Sequence, residues 1–311
     1  MDRVVPGYLG GLKEFVRRFE NCGQDELQNL KSKLDQPPTA RTPPVLMRRM
    51  KVDILEGLPT KSEEKTPVVM PDIQADAYFE AIGKARSGGS SQGDMLRAIH
   101  AFRSISLHPK GAKACDPFDK QSVADWISQS ARVQHTVNIL KKLQTAKEKA
   151  LVFVEDIEIQ KAFALAISTH LDLDAQPALI NGSVPGDKRL AIVDRFQKSG
   201  NPFDLLVLSP KAAGIGLTIT AANHVIHLSR WWNPAVEDQC NDRCYRIGQD
   251  KPVTIHLPLA VHPSFGESSF DKKLDALLDR KRSLSREMLL PPVEKGDVAA
   301  LFSQTLGEGE S

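Results

Sequence analysis

The chain has 311 residues, 41% hydrophobic and 26% charged, so it is long enough to bury one large core or two smaller ones and is not a mainly disordered protein. Its 41 basic and 39 acidic residues leave a net charge of +2, so any surface for an anionic partner must be a local one. No apolar run approaches the roughly 20 residues of a membrane helix, and no signal-peptide pattern opens the chain, so we expect an intracellular protein without a membrane partner.

Residues 1–128 alternate helical patterns with loops. Residues 12–19 are amphipathic, and the proline-rich residues 36–44 cannot be helical. Helices are expected over residues 76–84 and 95–107, with a glycine- and serine-rich loop between them. No sheet of several strands is predicted in this part of the chain.

Residues 129–262 change to the pattern of an α/β domain. Five short apolar runs predict strands buried on both faces: residues 150–154, 177–180, 204–208, 225–228 and 253–257. Because helical patterns separate the first three of them, the sheet should be largely parallel and doubly wound. Ligands of such sheets bind in the loops that follow the carboxyl ends of the strands. One more amphipathic helix is expected after Pro263, followed by a loosely ordered tail after Pro291.

The cysteines do not form a disulfide framework, because only four occur in a chain of this length. Cys240 and Cys244 would share a helix face, and a zinc site would need His224, His227 or His256 as further ligands. Two close ligands do not complete a tetrahedral site. The favoured interpretation is therefore two reduced side chains packed under a helix, and no metal site is predicted.

Two loops have the composition of phosphate-binding segments. Residues 181–189 lead into a helix and combine Gly182 and Ser183 with two cations, although a simple turn before a helix has the same composition. Residues 209–220 contain Gly214 and Gly216, which would let a ligand approach the backbone closely. Neither loop is a Walker A motif, which the chain lacks altogether.

The segment over residues 237–249 is the most informative. Read as a helix, it places Gln239, Arg243 and Arg246 at positions i, i+4 and i+7 of one face. Two guanidinium groups on one face repel each other unless an anion lies beside them, and arginine grips phosphate oxygens in bidentate fashion. The alternative is a pair of surface ion pairs with Asp238 and Asp242, and spacing alone does not decide between the two.

A doubled tryptophan, Trp231 and Trp232, follows the fourth predicted strand and Arg230. Such a pair either plugs the core or forms a contact surface, for which stacking against nucleic acid is the functional option. We expect Trp231 to be the core member and Trp232 the contact.

The run of residues 221–239, continuing through Arg243 and Arg246 to Gln249, resembles the Swi/Snf-like ATPases, which are double-stranded-DNA translocases of helicase superfamily two. It is similar to motifs V, Va and VI of their second RecA-like lobe, and residues 151–155 and 181–183 are similar to motif IV and to the family's Asp-Gly-Ser. Segments within residues 6–109 resemble the family's linker and helical protrusion: residues 6–10, 46–51, 58–61 and 105–109. Residues 272–289 resemble its closing brace helix.

The resemblance implies a helical linker and protrusion over residues 1–128, a RecA-like helicase C-terminal lobe over residues 129–262, and a brace helix with a loose tail over residues 263–311. The family's first lobe, with its Walker A motif, Asp-Glu box and motif III, has no counterpart here. The chain thus resembles the second half of such an enzyme, from a truncated, split or internally started gene, and we expect it to be inactive alone.

The resemblance also implies roles for individual residues. ATP and Mg²⁺ would be held mainly by the missing first lobe, with Arg243 and Arg246 acting as arginine fingers on the nucleotide. Gln239, Gly214 and Gly216 would lie beside the nucleotide. The implied contacts with double-stranded DNA are Asn181, Gly182, Ser183, Lys211, Thr218, Arg230 and Trp232.

Some residues depart from the family's pattern, among them Asn181 in place of an acidic residue and Thr218 in place of asparagine. These departures concern details of DNA and ribose contact. Two other functions stay open: a stand-alone DNA-binding or inhibitory module, and a non-functional fragment of a truncated gene. In each case we expect a cytoplasmic protein, associated with the nucleoid if the source is bacterial.

Overall fold

The computed structural model describes residues 7–19, 24–37, 44–45, 57–89, 91–116, 118–213, 216–287 and 297–307. The chain divides into two compact units, residues 1–56 with 279–292 and residues 57–278 with 293–311. The three-part division inferred from the sequence motifs stays a prediction.

The smaller unit contains helices α1 (Leu12–Phe19) and α2 (Gln24–Asp35). Helix α1 has the predicted bounds, but none of its residues is buried, and Leu12 is 78% exposed. Leu30 and Leu34 of α2 are buried. Residues 46–51, which resemble part of the family's linker, lie outside the described residues.

The larger unit contains one sheet of six strands, and every pair of neighbours in it is parallel. The strands are β1 (Lys61–Val69), β2 (Lys149–Phe153), β3 (Ala178–Ile180), β4 (Asp204–Leu208), β5 (His224–His227) and β6 (Val253–Val261). Their spatial order is β1-β6-β5-β2-β4-β3. Five of them match the predicted strands to within a few residues at their starts, and β6 continues four residues beyond its predicted end, so the largely parallel α/β sheet is confirmed.

Strand β1 was not predicted, because it lacks a buried apolar run. Its first four residues are all exposed, three of them charged, and it contains Pro67; only Lys65, Thr66 and Val68 are partly buried. It pairs with β6 alone and forms an edge of the sheet. Charged side chains and proline are tolerated at an edge, where one side of the strand faces no partner, and they protect that edge from pairing with other chains.

Ten of the described helices begin in the larger unit. They are α3 (Asp72–Ser87), α4 (Gln92–Leu107), α5 (Lys120–Ser128), α6 (Ala131–Ala146), α7 (Ile157–His170), α8 (Gly186–Lys198), α9 (Pro210–Ala213), α10 (Pro234–Asn241), α11 (Phe270–Glu287) and α12 (Asp297–Leu306). None of the described helices is long and apolar enough to cross a membrane. Helix α12 forms where the sequence suggested a loose tail, because Leu301, Phe302 and Leu306 share a buried face.

Helices cover both faces of the sheet. Side chains alternate along each buried strand, so Val152 of β2 faces the core formed with α5, α6 and α7, whereas Leu151 and Phe153 face the core formed with α8 and α10. A third core joins α3, α4, α12 and the start of α11 around Tyr78, Phe102 and Phe270. The helical pattern before residue 128 and the end of the chain therefore meet in one core.

Two buried arginines connect the sheet to the first part of α11. Arg132 of α6 forms an ion pair with Asp271, and its Nη1 donates to the carbonyl oxygen of Leu228 at 3.1 Å. Arg230 forms an ion pair with Asp275, its Nη1 lying 2.8 Å from Oδ1. Asp271 and Asp275 are one helical turn apart, so a single face of α11 receives both guanidinium groups.

We expect Asp271→Asn to destabilise the protein by about 3–5 kcal/mol, because it leaves the charge of Arg132 buried without a counter-charge. Unfolding in urea, followed by circular dichroism, measures the free energy of unfolding. Asp194→Asn is the matched control, because it breaks an ion pair of 2.8 Å with Lys198 whose two side chains are 60% and 75% exposed. The control should cost less than about 1 kcal/mol. Equal losses in the two variants would contradict a stabilising role for the buried pair.

Candidate functional site at the carboxyl edge of the sheet

The carboxyl ends of β3, β4 and β5 bring three of the predicted segments to one edge of the sheet. All strands run in the same direction, so the loops that follow them emerge on the same side. Strands β5, β2, β4 and β3 are consecutive neighbours in space. The loops over residues 181–189 and 209–220 and the Arg230 segment therefore belong to one surface, as the sequence predicts.

The loop after β3 is held in shape by a buried asparagine. Asn181 is 3% exposed, and its Oδ1 accepts hydrogen bonds from the backbone N–H and hydroxyl of Ser183, at 3.0 and 2.6 Å. Its Nδ2 donates to Oε1 of Gln160 at 3.1 Å. Gly182 and Ser183 are exposed. Asn181 thus positions the turn from inside, and Gly182 and Ser183 present it to solvent.

The loop after β4 exposes a cation and a hydroxyl. Lys211 lies at the start of the loop, in α9, and Thr218 follows Gly216, whose φ of +66° is one that glycine adopts without strain. Lys211, Gly216 and Thr218 are all exposed. Gly214 lies outside the described residues.

The predicted helix over residues 237–249 is wrong in its second half. Helix α10 ends at Asn241, and a series of turns follows, so Gln239, Arg243 and Arg246 do not lie on one helical face. Gln239 and Arg246 are exposed, whereas Arg243 is 7% exposed. Backbone and guanidinium contacts of Arg243 hold the turns that replace the helix after Asn241.

Arg243 connects the turn after α10 to the loop after β4. Its Nε donates to the carbonyl oxygen of Gln239 at 3.0 Å, and its Nη1 donates to that of Leu217 at 3.2 Å. Its own carbonyl oxygen accepts from the N–H of Ile219 at 2.7 Å. Thr218 is therefore held between two residues that are bonded to Arg243.

Gln249 reinforces the same connection. Its Nε2 lies within hydrogen-bonding distance of the carbonyl oxygens of Thr220, Ala222 and Cys244, at 3.1, 2.7 and 3.2 Å. The side chain is 4% exposed. The amide thus joins the loop after β4 to the turn that carries Arg246, a structural role that the motif alone did not reveal.

The charges of the two motif arginines oppose each other. Burial, and then the positive charge of Arg246, hold the pKa of Arg243 below its ordinary value. Arg246 has no carboxylate partner among the residues that the structure describes. The predicted alternative, surface ion pairs with Asp238 and Asp242, is not seen for Arg246, and an anion beside it would relieve the repulsion.

Arg230 is a correction to the sequence analysis, which predicted a DNA contact. It is 1% exposed, and its Nε and Nη2 donate to the two carboxylate oxygens of Glu237 at 2.9 and 3.3 Å. Its Nη1 donates to Asp275, so the guanidinium group is fully engaged inside the protein. Burial opposes the charge, but Glu237 and Asp275 outweigh it and raise the pKa of Arg230 above its ordinary value. Arg230 holds the loop after β5 in place.

The structure reverses the positions expected for the two tryptophans. Trp232 is partly buried against the core of α3, α4 and α11. The ring of Trp231 lies near two cations, with Cζ of Arg103 at 5.6 Å and Nζ of Lys211 at 5.5 Å from its centroid. Asn233 caps α10, its Oδ1 accepting from the N–H of Ala235 at 3.0 Å. Trp231, rather than Trp232, is the tryptophan beside exposed positive charge.

Cys240 and Cys244 are free and buried, as the sequence predicts. Burial raises the pKa of the Cys244 thiol to about 12 and that of the Cys240 thiol still further. Within the described residues, no group of three or more histidine, cysteine or acidic side chains is arranged to hold a metal ion.

A cavity of about 750 Å³ opens beside the loops, between the end of α4 and the start of α7. Arg103, His108 and Glu155 line it, and Arg230 is the one predicted site residue that reaches it. The exposed residues proposed for nucleotide or DNA contact do not line it. The cavity therefore adjoins the predicted site only through Arg230 and Arg103.

Sequence reasoning missed three contributors to the site. Gln160 orients Asn181, Glu237 binds Arg230, and Arg103 lies beside Trp231. The role of Glu237 could have been found from the sequence. Glu237 lies seven residues after Arg230, on the first turn of a helix, and from there an acidic side chain can reach back to the arginine. Gln160 and Arg103 come from distant segments and have no such signal.

Comparison with known proteins is consistent with this architecture. Residues 131–248 match the family model described as the helicase conserved C-terminal domain. The chain is 32% identical to the Zorya protein ZorD of Escherichia coli O139:H28 (strain E24377A / ETEC), over 97% of this chain and 28% of that protein. It is 25% identical to the ISWI chromatin-remodeling complex ATPase CHR17 of Arabidopsis thaliana, over 95% of this chain and 28% of that protein.

A solved structure gives the same result. The SWI2/SNF2 ATPase core of Sulfolobus solfataricus in complex with dsDNA superposes with a TM-score of 0.61 and 25% identity, over 98% of this chain and 62% of that one. The chain spans about three tenths of the length of the two curated relatives. The six-stranded parallel sheet with its helices is the RecA-like fold of a helicase C-terminal lobe. The chain belongs to the Swi/Snf-like proteins of helicase superfamily two and corresponds to their C-terminal helicase half.

Proposed function

We propose that this chain is the second motor lobe of an ATP-dependent translocase on double-stranded DNA. In this proposal it supplies arginine to a nucleotide that a first lobe holds, and it grips the DNA backbone with the loops at the carboxyl edge of its sheet. Relatives named as ATPases and a structural neighbour solved with dsDNA support the two ligands. Hydrolysis requires the first lobe, because this chain has no Walker A loop.

The observation that carries the proposal is the exposed guanidinium of Arg246 on an anchored turn. It has no carboxylate partner among the described residues, and Gln249 ties its turn to the segment between β4 and β5 through the carbonyl oxygens of Thr220 and Ala222. A fixed, unpaired guanidinium suits a γ-phosphoryl group on which negative charge develops during transfer. Arg246 would thus act as an arginine finger.

Arg243 has a different part in the proposal. To reach a nucleotide, its guanidinium must leave the carbonyl oxygens of Gln239 and Leu217. Such a release would change how the loop with Thr218 is held. Arg243 therefore serves as the second finger only in a rearranged state, and otherwise positions both the nucleotide-facing turn and the DNA-facing loop.

The residues present fit the phosphate end of ATP but not its Mg²⁺ ion. The exposed Gln239 amide and Arg246 guanidinium can bind phosphate oxygens. No acidic cluster that could hold a cation lies within the part of the chain that is described. Mg²⁺, which neutralises phosphate charge during hydrolysis, would be bound by the first lobe.

The DNA contacts in the proposal are backbone contacts. Gly182 and Thr218 offer N–H or hydroxyl donors, and Lys211 and Trp231 add a cation and an aromatic surface. Ser183 would have to release Asn181 to donate to a phosphate. Such donors recognise phosphate and sugar without reading the base sequence. Asn181 and Arg230 contribute by holding their loops in place, since their side chains are buried.

ATP hydrolysis provides one test of the proposal. The purified chain should not turn over ATP, with or without duplex DNA, and DNA-stimulated hydrolysis should appear when a first-lobe polypeptide of a relative is added. Arg246→Lys keeps the charge but loses the planar fork, and we expect it to lower turnover by about 10³–10⁵-fold. A phosphate-release assay on the mixture measures this.

Arg97→Lys is the control for that substitution, because Arg97 is 77% exposed and pairs only with neighbouring Asp94. Its turnover should equal that of the unmodified chain. Arg243→Lys should lower both turnover and the urea midpoint, because it removes buried hydrogen bonds. Full turnover by the double variant Arg243→Ala, Arg246→Ala would refute the finger assignment.

DNA binding provides another test of the proposal. We expect weak binding without sequence preference, with log K falling by about 0.9 per neutralised phosphate for each unit of log salt concentration. Fluorescence anisotropy of two labelled duplexes of different sequence, at several salt concentrations, measures the slope. Strong preference for one duplex, or no binding at low salt, counts against the proposal.

The tryptophans separate contact from packing. Trp231→Ala should weaken DNA binding at an unchanged urea midpoint, whereas Trp232→Ala should lower the midpoint, because its ring packs against the core. Lys211→Ala should reduce the salt slope by about one phosphate contact. If Trp232→Ala alone weakens binding while stability is retained, the original expectation for Trp232 holds instead.

A further inference from the structure

Four side chains form a continuous row at the opposite, amino end of the sheet. Oε2 of Glu148 lies 2.8 Å from Nε2 of His224, and Nδ1 of His224 lies 3.0 Å from Nε2 of His256. Nδ1 of His256 lies 3.0 Å from Oε2 of Glu64. The two imidazole planes are tilted by only 18°, with centroids 5.3 Å apart, so the nitrogens meet edge to edge.

The row crosses four neighbouring strands. Glu64 is on β1 and is the register partner of His256 on β6, His224 begins β5, and Glu148 directly precedes β2. His224 pairs with Thr254, which is two residues from His256, so both histidines point to the same face of the sheet. The row therefore connects the edge strand β1 to the centre of the sheet through side chains.

The row has one hydrogen too few for its contacts unless it holds an extra proton. Its three contacts each need a hydrogen between the two atoms, since carboxylate oxygens and bare imidazole nitrogens are only acceptors. Two neutral imidazoles supply two hydrogens. If both rings donate to their carboxylates, Nδ1 of His224 and Nε2 of His256 face each other at 3.0 Å as two lone pairs. If one ring donates to the other instead, one carboxylate faces a ring nitrogen that carries no hydrogen. One imidazolium removes the conflict.

The surroundings favour a single extra proton. Burial opposes ionisation of Glu148, but hydrogen bonds from His224 and Asn223 outweigh it and lower its pKa. Burial, followed by the charge of His224, lowers the pKa of His256 to about 4, so a second proton is refused until strongly acidic pH. His135 of α6 also opposes it, and Glu64 favours it.

Other charged groups face the row from neighbouring elements. Lys251, in the loop before β6, stabilises the charge of Glu148. Burial and the charge of Lys142 lower the pKa of His135, which itself interacts with Glu64. These groups modulate the row, but they make no hydrogen bond within it that the structure records.

The row is not a metal site. Its donor atoms face each other in pairs along a line and do not converge on a centre, and no metal-competent cluster is found in the described residues. It is also distinct from the loops over residues 181–189 and 209–213, which follow the ends of β3 and β4, because Glu148 precedes β2 and His224 begins β5.

We propose that Glu148, His224, His256 and Glu64 form a proton-bound strap that fastens edge strand β1 to the sheet and loosens when its extra proton is lost. The sign follows from proton linkage. The native strap binds a proton that an unfolded imidazole releases near pH 6.5, so its stabilisation is present below that pH and is lost as the pH rises further. On the acid side, stability contributed by neutral His256 is lost between about pH 6.5 and pH 4.

Hydrogen exchange of the whole chain, followed by mass spectrometry, tests the proposal. Peptides that cover Lys61–Val69 should open about tenfold more at pH 9 than at pH 6.5, after correction for the intrinsic exchange rate. Peptides that cover Asp204–Leu208 should show no such change. A ¹⁵N spectrum of labelled histidine side chains should show the extra proton leaving in the same pH range.

Two substitutions at His256 distinguish the strap from general packing. His256→Gln keeps a polar contact with Glu64 through its amide but has no ring nitrogen that can share a proton with His224, so the opening of β1 should no longer change between the two pH values. His256→Leu removes both contacts and should leave β1 equally open at both. An unchanged tenfold difference in either variant, or none in the unmodified chain, would overturn the proposal.

Discussion

The carboxyl edge of the sheet depends on one arrangement, the capture of two buried guanidinium groups by one face of α11. Asp271 binds Arg132 and also accepts the N–H of Ala260 at the end of β6, while Asp275 binds Arg230 and Lys65. Each charge is costly to bury and acceptable only with its partner in place. Helix α6, the loop after β5 and the end of β6 are therefore fixed together.

This constraint explains which residues remain available for function. The buried side chain of Arg230 holds its loop and that of Asn181 shapes its turn, so neither is available to a ligand. The exposed residues beside them are held in fixed positions. Arg243 and Gln249 extend the same principle, since their buried side chains join the loop after β4 to the turn that carries Arg246. The turn that carries Arg246 and the segment that carries Thr218 are thus connected through a few hydrogen bonds.

The two ends of the sheet use charge differently. At the carboxyl edge, buried pairs fix the loops and leave Lys211 exposed, a surface suited to anions. At the amino end, an uninterrupted row from Glu148 to Glu64 satisfies its own charges and binds strands to one another. The first arrangement favours a ligand, whereas the second favours cohesion of the edge strand.

The sequence by itself determined the fold class, five of the six strands and the family, because buried parallel strands are short apolar runs and the motif around residues 221–249 is long and ordered. It also placed Ser183 and Lys211 on one edge, since parallel strands end on the same side. It could not find β1, whose charged sequence becomes a strand only by pairing with β6. Only the tertiary structure decided that Arg230 and Arg243 are buried and that Trp231 lies between cations, because a side chain's burial depends on partners, such as Asp275, Leu217 and Arg103, that lie far away in the chain.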